Sequence, residues 1–252
     1  MTPLPLILAF LAGSATPQEA EKIASNAIRK TRAQGSYTTR FNATITMPQG
    51  DPYVINGESV WVNPGILYIR YTGSGNVEKR IIRVGDQVWI YHEFLEDWVT
   101  AEEMGNGGAG SGVQNPDDIL GVLVTHLKTA ELGEAKNDTT PITVPLGGKD
   151  IAAIMKEQAN QGDFDWDKSR ASILLTIRNG RVEGVQSAAA LVANDPNIKG
   201  QVVTYSANVT VVAFNQEKKL SFELIDESTK KKRTIPVPPY IDKAILALRA
   251  DK

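Results

Sequence analysis

The sequence predicts an α+β domain, one large antiparallel sheet with a few helices, on two observations. Apolar residues recur with a helical period only in short stretches: Gln18–Arg32, Asn115–Lys128, Asp150–Asn160 and Ile241–Arg249. Between them run β-rich segments whose links are mostly too short for a parallel crossover, so neighbouring strands must turn back on each other.

At the N-terminus, the apolar run Leu4–Ala12 followed by Gly13, Ser14 and Ala15 has the form of a secretory signal, although no Lys or Arg precedes it. It is too short to span a bilayer as a helix. Its LAGS string resembles a bacterial lipoprotein signal in which Ser14 replaces the lipidated Cys. Without the thiol there is no acyl anchor, so the expectation is a soluble, exported, periplasmic protein cut near Ala15, with a single domain over 16–252. Thr16-Pro17-Gln18-Glu19 then reads as a capping box with Pro at the first helical position.

In the first helix Ala20, Ile23, Ala24, Ala27 and Ile28 share one face, and Gly35 closes the pattern. From Tyr37 to Met47 the period drops to two, with Phe41 and Ile45 on one side and Arg40, Asn42 and Thr44 on the other. Further strands are expected near Tyr53–Val62, Ile66–Tyr71, Glu78–Val84, Gln87–His92 and Asp97–Thr100. The stretch SVWVNPGILYIRYTG departs from this alternation: it is apolar on both parities, Trp61, Ile66 and Tyr68 on one, Val60, Val62, Leu67, Ile69 and Tyr71 on the other. A sheet with one wet face does not read this way. Later strands are expected at Ala171–Arg178, Arg181–Ala193, Val202–Phe214, Leu220–Asp226 and Thr234–Val237.

The 252 residues are 42% hydrophobic, enough for a sizeable core, and the net charge of −2 gives no strong attraction to nucleic acid. Cysteine is absent, which excludes disulfides and thiolate sites, and the only histidines, His92 and His126, are too few to build a typical zinc site. Asp163, Asp165 and Asp167 imitate the start of a calcium loop, but Lys168 stands where Gly is needed and Leu174 where Glu is needed. Gly105, Gly107 and Gly110 spell a dinucleotide fingerprint without the βαβ context, and read as a loop. The acidic group Glu93, Glu96, Asp97, Glu102 and Glu103 raises a paired-carboxylate hydrolase, yet hairpin ends are normally charged and no nucleophile elbow is present. No enzyme activity, metal or cofactor is expected. Lys230-Lys231-Lys232-Arg233 is the one basic run, a solvated hairpin tip or a contact to anionic lipid headgroups.

Gly57, Val60-Trp61-Val62, Pro64, Leu67-Tyr68-Ile69, Ile81 to Gly85 and Val88-Trp89-Ile90-Tyr91 follow one another in an order and spacing that resemble LolA-type periplasmic lipoprotein carriers, over residues 18–128. The resemblance implies a strongly curved, incomplete half-barrel whose concave face is covered by helices, with an acyl chain or lipid held between. On that reading the ligand wall is Phe41, Ile45, Leu67, Ile69, Trp89 and Tyr91, with Leu120, Leu123 and Leu127 on the covering helix. Partners would be lipid or lipoprotein acyl chains and a transient membrane or membrane-protein contact. Asn63 stands where the carriers place an Arg before the turn Pro, and Asn supplies neither the charge nor the guanidinium fork of that latch. The alternative is an interaction or sensor module on the same half-barrel, its cavity filled by its own side chains.

Overall fold

The structure is a computed structural model that describes residues 16–74, 78–100, 103, 116–154, 163–216, 222–225 and 231–250. The expected leader at 1–15, the glycines of 105–110, Glu102 and Lys230 lie outside the described residues.

Helix α1 (Pro17–Arg32) buries Ala20, Ala24, Ala27, Ile28 and Thr31, the face its periodicity marks. The capping box does not form: Thr16 makes no side-chain bond, because its backbone carbonyl already accepts the Glu19 N–H at 2.9 Å. Six strands follow as a meander, β1 (Ser36–Thr46), β2 (Tyr53–Val62), β3 (Ile66–Thr72), β4 (Glu78–Val84), β5 (Gln87–His92) and β6 (Asp97–Thr100). The expected covering helix is shorter than its pattern. It is α-helical as α2 (Pro116–Leu123) and continues as a 3-10 helix (Val124–Thr129), where β-branched Val122, Val124 and Thr125 crowd the turn and the Thr125 hydroxyl takes the Val122 carbonyl at 2.8 Å.

A second meander has two strands that the sequence reading missed, β7 (Glu131–Leu132) and β8 (Thr139–Leu146). Pro141 and Pro145 hide β8, although Ile142, Val144 and Leu146 alternate into the core. Helix α3 (Gly148–Ile154) starts two residues before its expected start. Gly148 is needed there, because a Cβ would fall 1.7 Å from the Trp166 carbonyl oxygen. Strand β9 (Phe164–Arg178) begins seven residues earlier than expected and is followed by β10 (Arg181–Ala193) and β11 (Val202–Phe214). The short ribbon β12 (Glu223–Ile225) and β13 (Lys232–Thr234) and helix α4 (Pro239–Ala250) end the described chain.

The strands form one 11-stranded sheet in the order β6-β5-β4-β3-β2-β1-β11-β10-β9-β8-β7, with the ribbon as a separate pair. Every pairing is antiparallel, and the end strands β6 and β7 do not meet, so the curved sheet stays an open half-barrel. The β1–β11 pair joins the two meanders.

Helices α1, α2 and α3 with the 3-10 helix cover the concave face over β7–β10. Thr31 fastens α1 to the sheet: its buried hydroxyl donates to the Ala27 carbonyl and accepts the Val182 N–H, both at 2.8 Å. His126 bonds Asp150 at 2.9 Å, tying the 3-10 helix to α3. Helix α4 lies on the opposite, convex face, against the end of the sheet made by β2–β6.

That placement explains the two-sided apolar stretch. The Asn63–Gly65 link leaves Val62 paired with Ile66, so even-numbered residues of both strands share a face. Val60, Val62, Ile66 and Tyr68 therefore lie under α4, while Trp61, Leu67, Ile69 and Tyr71 lie on the concave side. The sequence reading had crossed these sets, since it grouped Trp61 with Ile66 and Tyr68. Under α4 the rings of Trp98 and Phe222 meet edge-on at 5.2 Å, and Ile241 is fully buried. Replacing Ile241 by Ala should cost about 2–5 kcal/mol, the usual range for emptying a sealed aliphatic site. Urea denaturation measures this, and an unchanged midpoint would show that α4 does not seal the convex face.

Candidate apolar binding face

Following the register from strand to strand assigns every side chain of the sheet to one face. At the β2–β5 end, the concave face carries Tyr37, Trp61, Leu67, Ile69, Ile81 and Ile90 as one buried cluster, with the Tyr37 and Trp61 rings stacked at 5.0 Å. Thr39 and Ser59 are buried in the same stretch and satisfy each other through a 2.7 Å hydroxyl–hydroxyl bond. At the β8–β10 end the same face carries the helix-covered cluster, with Ile142, Val144, Ile173 and Leu175 beneath Leu123 and Leu127.

The two clusters do not merge. Between them, β1, β11 and β10 bring Ala43, Ala207 and Ser187 side by side in one cross-strand row. One adjoining row is Phe41, Val209 and Val185, and the other is Ile45, Tyr205 and Ala189. Apart from Ala43, which is buried, these residues are only half-buried, whereas Leu67, Leu123 and Leu127 to either side are sealed at about 1% exposure or less. Three small side chains at ~4.8 Å strand spacing make a shallow floor ~10 Å wide, walled by larger apolar residues. This seam is the candidate site.

Its chemistry is nearly uncharged. The Tyr205 phenol is pushed above its ordinary range by burial, against a smaller lowering from its hydrogen bond with Ser187, so it stays neutral near pH 7. Burial raises Tyr71 in the same way, with Tyr53 adding to the effect. Phe41 lies across Gly57, its cross-strand partner on β2: a Cβ there would sit 2.5 Å from the Phe41 ring and 2.5 Å from the Arg70 carbonyl oxygen. On the convex side the same three strands are wet, with Arg40, Asn42, Thr204, Ser206, Asn208 and Thr210 turned outward.

The expected wall residues divide accordingly. Phe41, Leu67 and Ile69 belong to the concave cluster at the β2–β5 end, and Ile45, Leu120, Leu123 and Leu127 to the helix-covered one. Trp89 and Tyr91 cannot share a wall with Leu67 and Ile69. Ile90 pairs with Ile81 on the concave side, which sends Trp89 and Tyr91 to the convex side beneath α4. The floor residues Ala43, Ser187, Tyr205 and Ala207 escaped the sequence reading, because a row across three strands is legible only once their pairing is known.

The other candidate groups are engaged structurally. Glu93 pairs with Arg80 at 3.0 Å, Glu96 with Arg233 at 2.9 Å, the Asp97 carboxylate accepts the Trp98 N–H, and Glu103 accepts the Thr100 N–H. His92 accepts the Leu95 N–H in the β5–β6 turn. Asp165 pairs with Lys168 at 2.6 Å, and among the described residues no cluster has the donors to hold a metal ion. A separate open cavity of about 420 Å³ lies where α3 meets the start of β9, lined by Lys149, Phe164, Asp165, Trp166, Asp167 and Asn194 together with Ala152. No helix among the described residues is long and apolar enough to cross a membrane.

No family model and no curated protein matches the sequence. Among solved structures, the chain is similar to the lipoprotein LppX of Mycobacterium tuberculosis, at 12% identity and a TM-score of 0.47 over 81% of this chain and 100% of that one. It is similar to LprF of Mycobacterium bovis at 11% identity and a TM-score of 0.45, covering 83% of this chain and 99% of the other. A LolA superfamily protein of Nitrosomonas europaea is similar at 8% identity and a TM-score of 0.36, covering 82% and 96%.

The close approach at Gly57 has a measurable consequence. Gly57→Ala should lower stability by about 1–3 kcal/mol, because the Phe41 ring can move aside but the Arg70 carbonyl cannot. A variant with the wild-type thermal midpoint would show that the strands do not pack as tightly as described.

Proposed function

We propose that this protein binds a lipid, or the acyl chain of a lipid-modified protein, along the concave seam, and that it acts as a non-catalytic carrier of the cell envelope. The observation that carries the proposal is the row Ala43–Ala207–Ser187, a low apolar floor between two packed cores on one continuous face. Burial of methylene groups supplies the affinity, at about 0.8 kcal/mol each, so a chain of several carbons needs no polar partner. The resemblance of residues 18–128 to lipoprotein carriers points to the same class of ligand. The seam, with Phe41 and Ile45 beside it, replaces Trp89 and Tyr91 in the proposed wall. Export fits the leader-like pattern at 1–15.

A second reading, the interaction or sensor module, draws on a different observation. Leu120, Leu123 and Leu127 are already packed to 3% exposure or less, so the space beneath the covering helix is occupied by the protein itself. On this reading no chain enters.

Displacement of a fluorescent fatty acid separates the two. Ala207→Trp fills the floor and should weaken uptake at least about tenfold, equivalent to removing about two methylenes' worth of contact. Thr210→Trp, on the wet side of the same strand, should leave it unchanged. Circular dichroism on both variants checks that each is folded. Equal affinities in all three proteins, or no uptake by any, would sink the carrier reading.

A further inference from the structure

The half-buried apolar residues Val185, Val209, Val211 and Phe214 continue the seam from its floor toward the end of the half-barrel where β10 begins and β11 stops. A cation stands at that end: the Arg181 guanidinium lies 4.3 Å from the centre of the Phe214 ring, which packs against the concave cluster. Simple alternation from the buried Val182 would turn Arg181 to the convex side. Two bulges adjoin it, with Glu183 the extra residue of β10 and Val212 that of β11, and bulges raise the local twist and re-aim side chains in this way. The backbone beside it is fixed, because the Val182 N–H is held by Thr31 of α1 at 2.8 Å.

Arg181 is half-buried, and among the described residues no carboxylate meets it. Its Nε is fully buried without a hydrogen bond. Glu183, the only acid of the β9–β10 hairpin, is taken by Arg178 at 3.5 Å. Alongside, the last turn of α1 carries Arg29, Lys30 and Arg32, and Lys30 reaches the hairpin by donating to the Asn179 carbonyl at 2.9 Å. The links 33–35, 63–65 and 215–216 at this end contain no acid. Farther off, Glu134 pairs with Lys136 at 3.2 Å, and Asp138 and Asp86 stand two and five strands away from β10. A guanidinium withdrawn from water onto a ring face, with a donor left unmet, is a group that gains by meeting an anion.

We infer that Arg181 takes the anionic end, carboxylate or phosphate, of the chain held in the seam. Both groups present paired oxygens that fit the guanidinium fork, and a neutral hydroxyl does not. From Ala43 to Tyr37, the partner of Phe214, strand β1 rises ~20 Å at ~3.4 Å per residue, so an extended chain can lay its tail on the floor while its head meets the guanidinium. The inference rests on the seam reading and adds the kind of lipid end that the seam receives.

Equilibrium binding near pH 7 with lauric acid, dodecyl phosphate and dodecanol, three ligands of one chain length, tests it. Wild type should bind both anions at least about tenfold tighter than dodecanol, the gain of a charge-assisted hydrogen bond, and the tighter of the two tells carboxylate from phosphate. Arg181→Met, which keeps an apolar stem over Phe214, should bind the anions no better than dodecanol and leave dodecanol as wild type binds it. Arg181→Lys, with the charge but not the fork, should recover part of the preference. Arg40→Met, on the wet convex face, should behave as wild type. No preference for the anions in wild type, a preference kept by Arg181→Met, an equal loss of dodecanol in that variant, or a preference lost in Arg40→Met would each overturn the inference and leave the seam reading standing. Wild-type protein that takes up none of the three ligands would overturn both.

Discussion

The pairing of β1 with β11 is the constraint on which the rest of this structure depends. Each meander alone, β1–β6 or β7–β11, is a sheet fragment with one apolar cluster on its concave side; the register Phe41–Val209, Ala43–Ala207, Ile45–Tyr205 welds them into a single concave face. Because side chains alternate, a slip of one residue would turn Phe41, Ala43 and Ile45 outward and bring Asn42 and Thr44 inward. The alternation of Thr204, Ser206, Asn208 and Thr210 on the other side holds the register in place, since those residues favour water. The same pairing sets the three small side chains in one row, so the fold and the proposed site have a common origin.

The sheet is dry on both faces at one end and wet on one face in the middle. Over β2–β6 the convex side is sealed by α4 and Phe222, and the buried Arg80 spans the layers by pairing with Glu78 at 2.7 Å and Glu93 while donating to the Glu223 carbonyl at 3.0 Å. Its two terminal nitrogens are met in this way, as a buried guanidinium requires, while its buried Nε makes no hydrogen bond. The middle strands, dry only on the concave side and only half covered there, are left as the place where an added apolar group gains most.

Much of this was legible in the sequence, because period and punctuation are local. Strands β2, β4, β5, β6, β10 and β11 lie where alternation and turn residues place them, and α1 and α4 follow their apolar stripes. What failed was whatever depends on a neighbour. The three-residue link Asn63–Gly65 decides which residues of β2 and β3 share a face, and without it Trp61 was grouped wrongly. Trp89 and Tyr91 are expected on the ligand wall only because sequence does not fix the parity between adjacent strands, and the β4–β5 register sends them across the sheet. Prolines concealed β8, and the floor of the seam drew no notice because alanine and serine carry no signal alone.

On the proposed function the seam, and not the convex layer under α4, receives an acyl chain. Crosslinking with a photoactivatable fatty acid, followed by mass-spectrometric mapping of the labelled peptides, tests it most directly. Adducts should fall on residues 36–46, 181–193 and 202–214, centred on Ala43, Ser187 and Ala207, with excess unlabelled fatty acid abolishing them. Adducts confined to 239–250, or labelling that unlabelled fatty acid does not suppress, would contradict it.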